Sequence, residues 1–214
     1  MEPIIRQARP RHAQILHHFI CELARYEREP DAVKYAPERL RAQMSQSSPP
    51  FKCLHAEMDG DPVGLALYFF TYSTGEGAQS LYLEDFFVTG DCRRGGVGTA
   101  LFRALAREAQ ARGCQRMDWA ALRWNELAIS FYKELGAELQ DAFAGYRLTA
   151  DAIELGLKAG LAVSFVTEDT IRSAPTTHER LFKTAIDHGA GRLIPRDTGD
   201  PAPPAGTKPT HSLR

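Results

Sequence analysis

The turn Arg93-Arg94-Gly95-Gly96-Val97-Gly98, with Thr99 next, is the part of this chain whose residue types most plainly suit chemistry. Glycines let the backbone expose several consecutive N–H groups, and where these open a helix the macrodipole draws in an anion. The expected ligand group is a pyrophosphate. Glycines after a strand also make ordinary tight turns, so the surroundings have to decide. A nucleoside-triphosphate loop ends in Gly-Lys-Ser/Thr, which is missing here, and a dinucleotide fingerprint needs a third glycine where Leu101 stands. A second element, Asn125-x-x-Ala128-x-x-Phe131-Tyr132, follows the turn at a distance and strengthens the signal.

Other reactive side chains are weaker candidates. His12, His17 and His18 lack the i, i+4 spacing that stacks two metal ligands on one helical face, which leaves them on a polar helix surface and predicts no metal. Cys21, Cys53, Cys92 and Cys114 form no CxxC pair and read as free thiols. Cys92 adjoins Arg93 and Arg94, a setting that can activate a thiol, although a bystander is the commoner outcome.

The elements that position the turn follow from periodicity. Leu81 to Val88 reads as a strand leading into it, and from Gly98 a helix carries Leu101, Phe102, Leu105 and Ala109 on one face until Gly113 ends it. Upstream, Ile4 to Arg6 is a short strand, and Pro10 opens a helix closing near Tyr26. Pro37 to Met44 is a second helix, and Cys53 to Met58 and Val63 to Thr71 are strands joined at Asp59-Gly60. Downstream, Met117 to Ala121 is a strand, and Asn125 caps a helix stopped by Gly136. Glu138-Leu139 and Tyr146 to Leu148 are expected as short strands. The pattern is mixed α/β, and a domain is expected to close near Thr149.

Composition sets the class. The chain has 214 residues, 43% hydrophobic and 25% charged, with a net charge of −1, which gives no basic footprint for nucleic acid or an anionic membrane. The first residues lack a signal-peptide core and no long apolar run occurs, so a cytoplasmic location is expected.

Taken together, Arg93-x-x-Gly96-x-Gly98 and Asn125 to Tyr132 resemble the acetyl-CoA-binding core of the GNAT N-acetyltransferases. Glu22-Leu-Ala-Arg-Tyr-Glu27, Tyr68-Phe-Phe-Thr-Tyr72, Tyr82 to Val88 and Trp124-Asn125-Glu126 resemble its diamine (spermidine/spermine and thialysine) acetyltransferase group, over roughly residues 3 to 149. The resemblance implies a GNAT fold, with a central mixed, mostly antiparallel sheet splayed at the acetyl-CoA site and flanked by helices. It implies acetyl transfer from acetyl-CoA to a small di- or polyamine by direct attack in a ternary complex, and a homodimer.

Residue roles come with it. Glu84 is expected to take the amine proton, because a protonated amine cannot attack a thioester, and Tyr132 to protonate the leaving thiolate. Backbone groups of Phe86, Phe87 and Val88 are expected to hold the acetyl carbonyl and pantetheine. The turn Arg93, Arg94, Gly95, Gly96, Val97, Gly98 and Thr99 would take the pyrophosphate, and Asn125 would contact the cofactor or cap its helix. Tyr26, Glu27, Asp85 and Trp124 are expected on the substrate side. Asp85 faces away from Glu84 in a regular strand, but a bulge would bring it round. Gly75 stands where the family usually has an aromatic residue, and Arg123 where it often has an acid, an added cation that opposes a long polyamine.

Residues 150 to 195 are expected to be an appendage. The stretch from Leu161 to Ser173, with Gly191 to Thr198, resembles two βα units of an isopropylmalate/homocitrate synthase-type barrel, too little to close one. A helix over Ala152 to Lys158, a strand over Ala162 to Val166, a helix over Thr177 to Asp187 and a strand at Leu193-Ile194 are expected, then a disordered proline- and glycine-rich tail over 196 to 214. Two other functional readings stay open: a non-catalytic acyl-CoA-binding or interaction protein, and an acetyltransferase for an amino-acid or antibiotic amine.

Overall fold

A computed structural model describes residues 2–142 and 145–158. The expected elements from Ala162 to Ile194, and the tail, lie outside the described residues. The chain divides into two compact units, Met1–Gln140 and Asp141–Arg214.

Near-continuous apolar runs such as Val63 to Phe70 suit the first unit to a sheet covered on both faces. Its strands are β1 (Ile4–Gln7), β2 (Lys52–Met58), β3 (Asp61–Ser73), β4 (Ala78–Val88) and β5 (Met117–Trp119), and they lie in that spatial order. Successive pairs from β1 to β4 are antiparallel, whereas β4 and β5 are parallel. The hairpin between β2 and β3 turns at Asp59 and Gly60, both with positive φ (56° and 90°), as a two-residue turn requires.

Helices α1 (Ala13–Tyr26) and α2 (Pro37–Met44) cover one face, and α3 (Val97–Ala111) the other. A 3-10 turn at Pro10–His12 leads into α1. Leu16, Phe19 and Leu40 pack on Cys53, Leu65, Leu67 and Phe87. On the opposite face Val97, Leu101 and Leu105 pack on Ala66, Tyr68, Leu81 and Leu83. Gly64 allows β3 and β4 to pack this closely, because a Cβ there would stand 2.7 Å from the Phe87 carbonyl oxygen.

Helix α4 (Glu126–Glu134) follows Asn125 and ends at Gly136, whose φ of 82° suits a glycine terminator. In the second unit α5 spans Ala150–Lys158, with the Thr149 hydroxyl oxygen accepting from the Ala152 N–H at 3.3 Å. Among the described residues no helix is long and apolar enough to cross a membrane.

Three expectations are corrected. The fifth strand stops at Trp119 rather than Ala121, and Glu138-Leu139 and Tyr146 to Leu148 form no strand. An isolated extended segment is not a strand, since its backbone groups need a neighbouring ladder. β5 pairs with β4 only from Leu81 to Leu83 and then leaves it. The side chains of Leu139, Tyr146 and Leu148 are exposed, so alternation in this part of the sequence reflects no buried face.

Candidate active site

The site forms where β5 parts from β4. Parallel pairing ends at Leu83–Trp119, so the edge of β4 from Glu84 to Val88 faces an open wedge. Within that stretch β4 gains a residue: Leu67 of β3 pairs with Asp85 and Tyr68 with Leu83, leaving Glu84 opposite nothing. A bulge of this kind shifts the side-chain alternation by one. Glu84 is exposed at the wedge and makes no hydrogen bond or ion pair with any described residue. The Thr89 N–H donates to the Val63 carbonyl of β3 at 2.9 Å, so by alternation the preceding Val88 N–H is directed to the open edge.

The turn after β4 opens directly into α3. Arg94 (φ 63°) and Gly96 (φ 82°) both lie in the left-handed region, and Gly96 caps α3 with no side chain bonded to the helix end. The first N–H groups of α3, on Val97, Gly98 and Thr99, have no intrahelical acceptor, and Gly98 and Thr99 line the cleft. Only glycine takes the Gly96 conformation without strain. The side chain of Arg93 has another task. Its Nε donates to the Val88 carbonyl at 3.0 Å, and its guanidinium lies 4.8 Å from the centre of the Tyr26 ring.

Tyr132 arrives on α4, which buries none of its residues fully and is held by aromatic packing instead. Phe131 stacks parallel to Phe86 at 5.9 Å, and the Tyr132 ring lies 5.1 Å from Trp119 and 5.7 Å from Phe102. Asn125 fixes the start of α4: its Oδ1 accepts from the Ala128 N–H and from the Tyr26 hydroxyl, both at 3.2 Å. The helix cap and the end of α1 thus share one side chain.

These elements enclose a cleft of about 610 Å³, a size typical of small-molecule sites. It brings together Glu84, Tyr132, Phe86, Phe87, Val88, Arg93, Arg94, Gly96, Gly98, Thr99, Asn125, Tyr26 and Glu27. Four expected residues do not line it. Val97 points into the core, 1% exposed, because a helix first turn alternates between ligand and sheet. Gly95 sits on the exposed outside of the turn, and the Trp124 ring is turned to Tyr26 and Arg28. Asp85, in register with Leu67, faces the α1 layer.

Charge in the cleft is acidic at the β4–α1 end. Burial, then Glu84 and then Glu27, push the Asp85 carboxyl up to about 6. Burial and Glu29 raise Glu27 above the ordinary carboxylate range. Tyr132 is pushed up to about 12 by burial and secondarily by Glu27, so its hydroxyl keeps its proton at any physiological pH.

Sequence reasoning missed Ala120, Ala121 and Leu122, which line the cleft as β5 departs, and the aromatic packing of Phe86, Phe102, Trp119 and Phe131 that seats Tyr132. The signal for the first was available: a short connection between a parallel strand and a helix cap is where α/β folds bind ligands.

Comparison with known proteins agrees with this geometry. Residues 15–137 match the model of the acetyltransferase (GNAT) family, and the chain belongs to that family. It is similar to a thialysine N-epsilon-acetyltransferase of Bos taurus, 38% identical over 143 residues, 63% of this chain and 84% of that one. A spermidine/spermine N(1)-acetyltransferase-like protein 1 of Homo sapiens is 34% identical over 125 residues, 55% of this chain and 18% of that one. Among solved structures, an integron cassette protein from the mobile metagenome of V. cholerae superimposes with a TM-score of 0.62 at 28% identity, covering 74% of this chain and 99% of that one. The fold is GNAT, and the protein is an acetyl-CoA-dependent N-acetyltransferase. The N–H cradle of α3, the open edge of β4 and the size of the cleft fit acetyl-CoA as its co-substrate.

Proposed function

We propose that this enzyme acetylates a primary amine of a small di- or polyamine-like substrate, the amine attacking acetyl-CoA directly in a ternary complex. The observation that supports this reading is that Glu84, freed by the bulge, and Tyr132, seated by its aromatic neighbours, line one cleft together with Gly96, Gly98 and Thr99 of the turn into α3.

Each group has a task. The cradle from Arg94 to Thr99 binds the pyrophosphate, and the open edge at Phe86 to Val88 hydrogen-bonds the pantetheine and the acetyl carbonyl. Glu84, directly or through one water, takes a proton from the ammonium so that a lone pair is available. Tyr132 donates a hydrogen bond to the departing sulfur. Glu27 and Glu84 make the amine end of the cleft acidic and so attract a cation.

Amine preference is the finer part of this reading. The bovine relative's name gives thialysine and the human one's spermidine and spermine, and these define the panel to assay. Steady-state acetylation of such amines by wild type and Glu84→Gln is the test. The variant should lose about 10²- to 10⁴-fold in kcat/KM while still binding acetyl-CoA. Unchanged turnover removes Glu84 from the mechanism. A homodimer and a cytoplasmic location belong to the same reading, checked by sizing chromatography and cell fractionation. Residues 150–195 are assigned no catalytic part, so a chain ending at 149 should keep its turnover.

A further inference from the structure

Outside the cleft, α1 carries a second group of reactive side chains. His17 and Cys21 stand at the i, i+4 spacing that puts two side chains on one helical face. The Cys21 Sγ is 3.7 Å from His17 Nδ1, and His17 Nε2 is 2.7 Å from the carbonyl oxygen of Tyr35, which lies just before α2. A carbonyl only accepts, so Nε2 carries the ring proton and donates it. In the neutral imidazole that leaves Nδ1 with a lone pair facing the thiol, and the Cys21 S–H donates to it. The Tyr35 ring meets the imidazole edge-on at 5.3 Å and helps to hold it in this orientation.

Nucleophile, base and a group that orients the base are thus aligned, the arrangement that makes a cysteine reactive. The other three cysteines lack it. Cys53 is 1% exposed, its S–H donates to the Leu54 carbonyl at 3.4 Å, and burial, with Asp85 second, pushes its thiol up. Burial raises the Cys114 thiol as well. Cys92 adjoins two arginines in the chain, but the Arg93 side chain is engaged by the Val88 carbonyl and the Tyr26 ring. Among the described residues, Cys21 is the one cysteine with a histidine bonded to its sulfur. It is half-buried, within reach of a small reagent.

We propose that Cys21 is a modification site: a nucleophilic thiol, with His17 as its base, that small hydroperoxides oxidise to the sulfenic acid. A sulfur lone pair attacks the nearer peroxide oxygen, and the S–O bond forms as the O–O bond breaks. The thiol proton passes to His17 Nδ1 and from there to the departing oxygen, which leaves as water when the oxidant is hydrogen peroxide. Sulfur gives up the electron pair that the peroxide gains. Neither His17 nor Cys21 lines the acetyl-transfer cleft, so this chemistry is separate from the acetyl-transfer reading above.

The test exposes the reduced full-length protein to hydrogen peroxide in the presence of dimedone, which captures sulfenic acid, and reads the label at each cysteine by peptide mass spectrometry. Cys21 should acquire label about tenfold faster, or more, than Cys92 and Cys114, a ratio taken within one sample of the wild-type protein. His17→Gln keeps an amide donor for the Tyr35 carbonyl and removes the base. It should slow labelling of Cys21 by about tenfold or more and leave the other cysteines unchanged. Acetyl-transfer rates, which depend on neither residue, check that this variant is folded. Labelling of Cys21 no faster than that of Cys92 and Cys114 in the wild type, or labelling that His17→Gln does not slow, overturns the proposal.

Discussion

Replacing Tyr132 with Phe separates two kinds of help to the leaving group. A full proton donor must be acidic enough to give its proton to a thiolate whose conjugate acid has a pKa of about 8.5, taking cysteine as the model. Burial, with Glu27 second, pushes Tyr132 up to about 12. Complete transfer is then uphill by roughly 3.5 units, or about 5 kcal/mol, too much for an efficient acid. A hydrogen bond from the neutral phenol to the forming anion contributes about 1.5–3 kcal/mol, which corresponds to roughly 10- to 150-fold in kcat. The phenylalanine variant should fold normally. Its ring keeps the contacts with Trp119, Phe102 and Phe131, and the hydroxyl makes no hydrogen bond with a described residue. Product formation, followed chromatographically from pH 6 to 9, should drop by that factor at every pH with no change in the shape of the profile. A loss beyond about 10⁴-fold, or a profile whose alkaline limb disappears, would mean that Tyr132 transfers a proton in earnest and that its acidity in the ternary complex is far greater than burial allows.

Three further outcomes follow from the same geometry. Asp85 titrates near 6 in the folded protein, against an unperturbed 3.8, so its contribution to stability is complete below about pH 4, falls as pH rises through 6 and is flat above; Asp85→Asn should therefore stabilise by about 2–3 kcal/mol at pH 7.5 and hardly at all at pH 4, and equal melting shifts at both pH values refute it. Gly96→Ala meets no atom within 4 Å but is forced to hold φ 82°, so it should cost about 1–2 kcal/mol and raise the KM for acetyl-CoA without raising that for the amine. Asn125→Ala removes both the α4 cap and the bond from Tyr26, and should lower stability by about 1 kcal/mol in chemical denaturation; a neutral result would mean that water replaces the cap.

Much of this was legible in the sequence because the signals were local. Periodicity placed α2 at Pro37–Met44, the hairpin turn at Asp59-Gly60 and the cap at Asn125, each where backbone chemistry allows few alternatives. What was not legible depends on partners distant in the chain. The end of β5 at Trp119 is set by where β4 stops accepting bonds, and alternation around Tyr146 looks the same whether or not a neighbouring strand exists. The task of Arg93 is another case. Its place in the loop motif suggests phosphate, while the fold brings the Val88 carbonyl and the Tyr26 ring within its reach first.

The bulge in β4 explains why two adjacent acids have different fates. Direct cross-strand partners share a face, so the pairs Tyr68–Leu83 and Phe70–Leu81 put Leu81 and Leu83 with the α3 layer. A strict period of two would then send Asp85 and Phe87 to that layer as well, burying a carboxylate among Leu101, Leu105 and Tyr68. With the extra residue at Glu84 the parity reverses: Phe86 and Val88 join the α3 side, while Asp85 and Phe87 turn to α1. Glu84, opposite no residue, is left on the edge that β5 has vacated. One inserted residue thus leaves an exposed carboxylate on that edge, as the proposed proton-accepting role requires. It also holds a second, half-buried carboxyl close enough to feel the first, beside the stretch of β4 that the end of β5 leaves unpaired.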